Sequence, residues 1–247
     1  MTDRATQGSR GPRSKLAWAL MTLASAVGVI VLLSLGIWQV QRLNWKLDLI
    51  DRVESRLEAP AVPAPGPQDW AAITPAGDEY RRVSLSGIYA YDSEVLVKAV
   101  TGRGAGFWVM TPLTLPEGWS VWINRGFVPS DRRESAARAR PEGLQDVTGL
   151  LRITQPGGAF LRENDPQGGM WYSRDVSALS RSYGLTDAAP YFVDAGMGPD
   201  ATALPVGGLT VVSFRNNHLS YALTWFAMAA GLAAGAWYVL SRDRSAA

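Results

Sequence analysis

The 247-residue sequence contains no cysteine and only one histidine, His218. Without cysteine, the chain can form no disulfide and has no thiolate with which to bind copper, zinc or an iron–sulfur cluster. A single histidine also argues against a nucleophilic triad, because a serine and an acid would both have to be brought to that one imidazole. The formal net charge is only +2, from 24 basic and 22 acidic residues, and no basic stripe carries interleaved aromatic residues. We therefore expect no nucleic-acid partner.

Two long runs contain no charged residue, Leu16–Trp38 and Leu219–Leu240. As helices that rise 1.5 Å per residue, each would be about 33 Å long, and a bilayer core is about 30 Å thick. The first run is long for a signal peptide, and its small-residue pattern Ala24-Ser25-Ala26 lies inside the run. We therefore predict two retained transmembrane helices in membrane lipid, over residues 16–38 and 216–240, the second with a polar start.

The charges of the two tails predict the orientation of these spans. Residues 1–15 carry four basic residues against one acid, and residues 241–247 carry two against one. Short basic tails stay on the cytoplasmic side, so both tails are predicted to be cytoplasmic and the domain between the spans to lie outside. Outside means the periplasm of a bacterium or the mitochondrial intermembrane space. The first tail is too short for a presequence plus a processed terminus, which favours a bacterial cytoplasmic (inner) membrane.

A helical stem and a spacer are predicted to follow the first span. Trp38, Arg42 and Trp45 recur at helical spacing, so the helix is expected to continue as a stem over residues 39–58. Either the stem packs under the domain, or these three residues form one wall of a site at the outer surface. Residues 59–75 are rich in proline, which predicts neither helix nor strand but a semi-rigid spacer.

Residues 76–215 show alternating apolar and polar residues with turn signals about every ten residues, which indicates an antiparallel sandwich or barrel. Asp131–Arg140, charged and alanine-rich, is a predicted surface helix. Asp175–Tyr183 is predicted to be a short helix with Asp175 as N-cap and Gly184 after its end. The predicted fold class is α+β, a mostly antiparallel β, extracytoplasmic domain between two transmembrane helices. The predicted strands are Tyr80–Tyr91, Glu94–Val100, Phe107–Leu115, Trp119–Val128, Val147–Ile153, Pro190–Ala195 and Leu209–Phe214.

His218 and two asparagines form a polar collar where the second span begins. On the helix that follows, Tyr221, Ala222 and Trp225 share the face of His218, and Asn217 is the predicted N-cap. A neutral imidazole at this position could ligate heme iron or copper, or move protons, and a small residue between aromatic residues would suit the edge of a flat macrocycle. The alternative is an interfacial histidine that bonds only to solvent or lipid headgroups.

Outside this segment, the sequence shows no pattern that indicates an enzyme. Arg125, in Asn124–Pro129, could clamp a carboxylate such as a heme propionate, or could pair with a structural acid such as Asp165. Gly102–Gly106 lacks the lysine and the following helix of a phosphate loop, so we interpret it as a connection between strands. The remaining carboxylates show no paired acid/base arrangement.

Small residues recur in both predicted spans. Ala227, Gly231 and Gly235 stand four apart in the second span, and Ala24 and Gly28 offer a shorter match in the first. Such spacing lets helix backbones approach closely. The two spans are therefore expected to pack on each other or on a partner.

Several motifs occur together in the chain. They are Leu35–Arg42 with Trp45-Lys46, Tyr80–Val83 with Gly87 and Tyr89, Gly106 with Thr111–Leu113, Val121–Pro129, Gly149–Arg152, Asn164–Pro166 with Trp171 and Asp175, and Asn217–Phe226. Together they resemble the motifs of the surfeit locus protein 1 family of cytochrome c oxidase assembly factors. The last motif and the Asn-Arg-Gly motif are the most specific, and Phe127 stands where tryptophan is usual.

The resemblance implies a non-enzymatic membrane protein that helps to build heme–copper oxidase, at the step where heme a enters subunit I. It implies transient heme a binding with His218 as the ligand of the heme iron, and it makes the enzyme of heme a synthesis a possible partner. The alternative function is a scaffold that holds subunit I and its maturation partners without binding a cofactor. The other predicted cofactor contacts are Trp38, Trp45, Tyr221 and Trp225 on the ring and Arg42 or Arg125 on a propionate.

Overall fold

The computed structural model describes residues 15–157, 162–200, 202–210, 214 and 216–244. The chain divides into two compact units, one formed by residues up to 50 and from 213 onward, the other by residues 51–212. In chain order, the helices and strands are α1 (Lys15–Glu58), β1 (Val62–Pro63), α2 (Pro75–Asp78), β2 (Arg82–Tyr89), β3 (Val95–Thr101), β4 (Gly104–Thr114), β5 (Ser120–Pro129), β6 (Leu144–Ile153), α3 (Val176–Ser182), β7 (Ala188–Ala195) and α4 (His218–Arg244).

The first unit contains most of α1 and all of α4, and both helices are long and apolar enough to span a membrane. The two helices contact each other through glycines of α1. A Cβ added to Gly36 would overlap the ring of Phe226, and one added to Gly28 would lie 2.8 Å from Leu232 Cδ2. The predicted stripe of α4 is not at this contact, because a Cβ added to Gly231 or Gly235 meets nothing within 4 Å.

Helix α1 continues without a break to Glu58, so the predicted helical stem is present. Its last turns belong to the second unit and pack on it. Val53 is buried, and the guanidinium of Arg56 donates to the carbonyls of Ala76 at 2.5 Å and of Glu79 at 3.1 Å. The alternative in which the stem packs on the domain therefore holds for residues 51–58.

The second unit is a barrel-like sheet. Among the described residues, the strands form one sheet in the order β1-β2-β6-β7-β5-β4-β3, and a further pairing of β2 with β4 closes the ring. This closure pairs Ile88 with Thr114 and Tyr89 with Leu113. The pairings are antiparallel except β1 with β2 and β5 with β7. The sequence predicts either a sandwich or a barrel, and the pairing of β2 with β4 shows that the sheet is barrel-like.

Alternation along the strands separates two apolar clusters. In β7, Tyr191 and Val193 belong to one cluster and Phe192 to the other. The second cluster is covered by α3, where Trp122 Nε1 donates to Ser180 Oγ at 3.0 Å. Fully burying one large apolar side chain stabilises the fold by about 1.5–3 kcal/mol, so these two layers hold the barrel together.

Helix α3 has the predicted boundaries. The Asp175 carboxylate accepts from Ala178 N, as an N-cap does, and Gly184 follows the end of the helix with a φ of +66°. The positive φ is a conformation that glycine adopts without strain. The prediction for this segment is confirmed.

The proline-rich segment is more than a spacer, and this corrects the prediction. Val62–Pro63 forms β1, parallel to β2. The carbonyl of Pro65 accepts from Tyr191 Oη at 2.7 Å and from Trp70 Nε1 at 3.2 Å. Proline is tolerated in β1 because β1 is an edge strand and needs few ladder hydrogen bonds. The segment is therefore docked on the barrel.

Two other segments differ from the prediction. Residues 131–140 form no α-helix but two short 3₁₀ turns, Ser130–Arg132 and Ser135–Ala137. Leu209 and Thr210 are not in a strand, and the predicted strand over Leu209–Phe214 otherwise lies largely outside the described residues. The conformation of residues 131–140 has a long-range cause, because the Arg138 side chain donates to Glu94, which lies 44 residues earlier in the chain.

Candidate cofactor site

His218 is the first residue of α4, and its backbone is capped by the two asparagines before it. The carbonyl of Asn217 accepts from Tyr221 N at 3.2 Å, and Asn216 Oδ1 accepts from His218 N at 3.4 Å. Asn217 thus occupies the capping position, but the side-chain bond comes from Asn216. An amide oxygen at this place satisfies a backbone N–H that has no partner within the helix.

The imidazole of His218 is bonded to Gln39 of α1. The two atoms are His218 Nδ1 and Gln39 Oε1, 2.7 Å apart, and the residues are separated by 179 positions in the chain. An amide oxygen can only accept, so Nδ1 carries a proton, and in the neutral imidazole Nε2 then keeps its lone pair. In the part of the chain that the structure describes, Nε2 has no hydrogen-bond partner, and the His218 side chain is only partly buried. This is the arrangement of a histidine that can bind a metal through Nε2.

The predicted wall on α1 lies beside the residue that bonds to His218. Trp38 and Trp45 are half exposed, and the Arg42 guanidinium lies 4.7 Å from the centre of the Trp45 ring. Gln39 and Lys46 occupy a less exposed row of the same helix. Arg42 and Trp45 are therefore brought together as a cation–π pair, while the bond to His218 comes from the neighbouring row.

On α4, the residues predicted to share the face of His218 differ in exposure. Tyr221 is 55 % exposed, Trp225 is partly buried, and Ala222 is only 2 % exposed. The small residue expected to lie open beneath a macrocycle is thus already covered by the protein. Tyr221 remains available for contact with a ligand, and so do the two half-exposed tryptophans of α1.

Arg125 lies in the barrel and is held by the protein itself. Its guanidinium donates from Nη1 to Glu94 Oε2 at 3.0 Å and from Nη2 to the carbonyl of Ala139. Asp165, the acid suggested by the sequence, instead accepts from Gly168 N at 2.9 Å, so Asp165 is the wrong partner. A structural acid does pair with Arg125, and that acid is Glu94.

The buried carboxylate of Glu94 pairs with the guanidinium groups of Arg125 and Arg138. Arg138 donates to its Oε1 from Nε at 3.1 Å and from Nη2 at 2.6 Å, and Thr111 donates to Oε2 at 3.0 Å. Burial alone would raise the pKa of Glu94, but the bonds and charge of Arg138, the bond from Thr111 and the charge of Arg125 outweigh it and hold that pKa below its ordinary value. Glu94 is therefore ionised and structural.

A second buried network surrounds Asp194, at the pairing of β5, β6 and β7. Its carboxylate accepts from Asn124 Nδ2 at 2.7 Å, from Arg152 Nη1 at 2.6 Å and from Arg174 Nη1 at 3.2 Å. Burial lowers the pKa of Arg174, and the charge of Asp194 only partly offsets this. Asn124 and Arg125 of the Asn-Arg-Gly motif thus serve two separate polar networks that fix the barrel.

A model of the SURF1 family matches residues 26–230, which include Gln39, the whole barrel and His218. The chain belongs to the SURF1 family. Surfeit locus protein 1 of Homo sapiens is 33 % identical over 239 residues, covering 88 % of this chain and 75 % of that protein. The protein of the same name from Mus musculus is 34 % identical over 237 residues, with 88 % and 73 % covered. That of Takifugu rubripes is 30 % identical over 237 residues, with 88 % and 93 % covered.

For this SURF1 family member, the sequence-based site does not include two residues in one row of α1. Gln39 and Lys46 stand in the sequence motifs, but neither is among the predicted cofactor contacts. Lys46 lies seven residues after Gln39, in the same row, with its Nζ 4.9 Å from the centre of the Phe214 ring. Seven residues are about two helical turns, so helical spacing counted from Gln39 would have found Lys46.

Proposed function

We propose that this chain is an assembly factor for heme–copper cytochrome c oxidase that binds heme a transiently and aids its insertion into subunit I. Membership of the SURF1 family supports the assembly role. The single observation that carries the heme part is the bond between Gln39 and the only histidine in the chain, which leaves His218 Nε2 without a hydrogen-bond partner among the described residues. No catalytic step is required of the chain.

We further propose that the chain resides in a bacterial cytoplasmic membrane, with both termini cytoplasmic and the barrel periplasmic. Two helices that are long and apolar enough to cross a membrane support the two spans. The basic tails support the orientation. In this topology, His218 lies where the second span meets the outer surface, so a lipid-soluble macrocycle can reach it sideways from the bilayer.

The residues around His218 fit a heme as cargo. His218 would hold the heme iron through the lone pair of Nε2, the chemistry by which proximal histidines hold heme. The ring would contact aromatic residues, and the cation for a propionate would be Arg42 or Lys46. Arg125 is less suited to that task, because Glu94 and a backbone carbonyl already occupy its guanidinium. The aromatic contacts would be the exposed Trp38, Trp45 and Tyr221 and the partly buried Trp225.

The heme content of the purified chain tests this proposal. The wild type and His218→Ala are expressed with heme a synthesis active, purified in mild detergent and compared by absorption spectrum and extracted heme. Asn217→Ala is the matched control, because it changes an exposed polar neighbour at the same depth. We expect heme a in the wild type and the control, and its loss in His218→Ala. Equal heme content in all three would remove the ligand role.

The second candidate is a scaffold that stabilises subunit I, together with maturation partners such as the enzyme of heme a synthesis, without binding a cofactor. Its support is the α4 stripe of Ala227, Gly231 and Gly235, which is exposed and open to a partner helix. A Cβ added at Gly231 meets nothing within 4 Å, so we expect Gly231→Leu to block a partner without disturbing α1. Oxidase assembly that fails with Gly231→Leu but survives His218→Ala would favour the scaffold.

A further inference from the structure

We propose that Gln39 is the positioning residue of His218: it sets the tautomer of the imidazole and orients Nε2. The tautomer preference follows from the hydrogen bond between Gln39 and His218. The binding of heme iron by Nε2 rests on the function proposed above. The tautomer preference and the heme binding can therefore fail separately.

The tautomer decides whether the imidazole can bind a metal in this orientation. A neutral imidazole has one N–H and one bare nitrogen, and only the bare nitrogen can be a ligand. Gln39 Oε1, at 2.7 Å, accepts a hydrogen bond from the Nδ1–H and so favours the tautomer in which Nε2 is bare. Metal-binding histidines usually donate their other N–H to an oxygen acceptor in this way, and loss of the acceptor typically costs about 10–100-fold in metal affinity.

The packing of α1 on α4 holds the two partners in place. Gly36, one turn before Gln39, has no side chain, and the Phe226 ring of α4 occupies the space where one would lie. Gly28 and Leu232 make a second close contact further along the same two helices. A hydrogen bond between two pinned helices restricts the rotation of both side chains. Gln39 is thus suited to fix the direction of the ring as well as its protonation.

Gln41 offers a matched control two residues away. It is exposed, whereas Gln39 is partly buried, and no bond to its side chain is found among the described residues. Gln39→Leu and Gln41→Leu make the same chemical change on the same helix at nearly the same depth. Gln39→Glu keeps an oxygen acceptor and is the conservative variant that should rescue.

The first measurement needs no heme. The full-length chain is labelled with ¹⁵N-histidine, placed in lipid nanodiscs, and studied by NMR at about pH 8.5. One histidine gives one imidazole, so the tautomer is read without assignment. We expect protonated Nδ1 and bare Nε2 in the wild type, Gln41→Leu and Gln39→Glu, and a mixture of tautomers in Gln39→Leu. A wild type protonated on Nε2, or a Gln39→Leu spectrum equal to the wild type, would overturn the proposal.

The second measurement titrates the same four proteins with ferric heme, with His218→Ala beside them. We expect Gln39→Leu to bind about 10–100-fold more weakly than the wild type, and Gln41→Leu and Gln39→Glu to bind as the wild type does. Wild-type affinity in Gln39→Leu would overturn the positioning role. Wild-type affinity in His218→Ala would instead remove heme ligation from the proposed function, while the NMR result still decides the tautomer.

Discussion

At the scale of single residues, the side chains that matter most here are held by partners far away in the sequence. His218 is bonded to Gln39, and the Glu94 carboxylate is surrounded by Arg125, Arg138 and Thr111. The bond to Gln39 leaves His218 Nε2 available to a ligand among the described residues, whereas both oxygens of Glu94 already accept hydrogen bonds. His218 is therefore a candidate binding residue, and Glu94 belongs to a structural ion-pair network.

Glu94→Gln should destabilise the barrel strongly at neutral pH. The change removes the charge that compensates Arg125 and Arg138, which are both buried. Loss of one partner from a buried ion pair costs about 3–5 kcal/mol. Chemical denaturation of the full chain in detergent, followed by tryptophan fluorescence, measures the free energy of unfolding. Glu117→Gln, on an exposed turn, is the control and should behave as the wild type; an equal effect of both changes would contradict the assignment.

The pKa of Glu94 also predicts how stability depends on pH. Because the folded-state pKa is depressed, the stabilisation is complete above the unfolded-state pKa, about 4.3, and is lost as the pH falls through the lower folded value. The free energy of unfolding of the wild type should therefore fall more steeply than that of Glu94→Gln between about pH 5 and about pH 3. Parallel curves for the two proteins would show that Glu94 is not the group responsible.

At the scale of elements, the two apolar helices meet through glycines of α1. Gly36→Leu would force a side chain into the Phe226 ring, and overpacking of this kind costs about 1–3 kcal/mol. We expect a lower melting temperature and loss of the tautomer preference of His218, because the Gln39 bond depends on this contact. A Cβ added at Gly235 meets nothing within 4 Å, so Gly235→Leu is the control. An unchanged melting temperature in Gly36→Leu would contradict the packing.

The docked proline-rich segment gives a milder prediction. Tyr191→Phe removes the hydrogen bond to Pro65 and should cost about 1 kcal/mol, the usual net value of one such bond. Trp70 continues to bond to the same carbonyl, so the segment should stay in place. Limited proteolysis within residues 59–69 should become only slightly faster. Rapid cleavage of the wild type there would instead show a free spacer.

Elements formed by local interactions could be predicted from the sequence, whereas elements that depend on distant contacts could not. Alternation and capping are local, so the core strands and the helix that begins after Asp175 were predicted correctly. The segment 131–140 was predicted wrongly, because its conformation depends on the distant partner of Arg138. Gln39 was missed for the same reason: nothing in its own surroundings in the sequence shows that it faces His218.

At the scale of the whole molecule, a barrel-like domain lies between two membrane-length helices along the sequence of this SURF1 family chain. The general plan could be predicted because long apolar runs and strand alternation are strong signals. The closure of β2 on β4 could not, since a sandwich and a barrel share the same alternation along each strand. The proposed function joins these parts: the helices present His218, and the barrel is fixed by its own polar networks.

The measurement that tests the central claim most directly is the heme a content of oxidase subunit I in cells that lack this chain and are complemented with variants. Complementation with the wild type should restore heme a in subunit I, and His218→Ala should leave it close to the level of the uncomplemented cells. Both proteins must be present in the membrane in equal amounts. Full heme a in subunit I with His218→Ala would contradict the account.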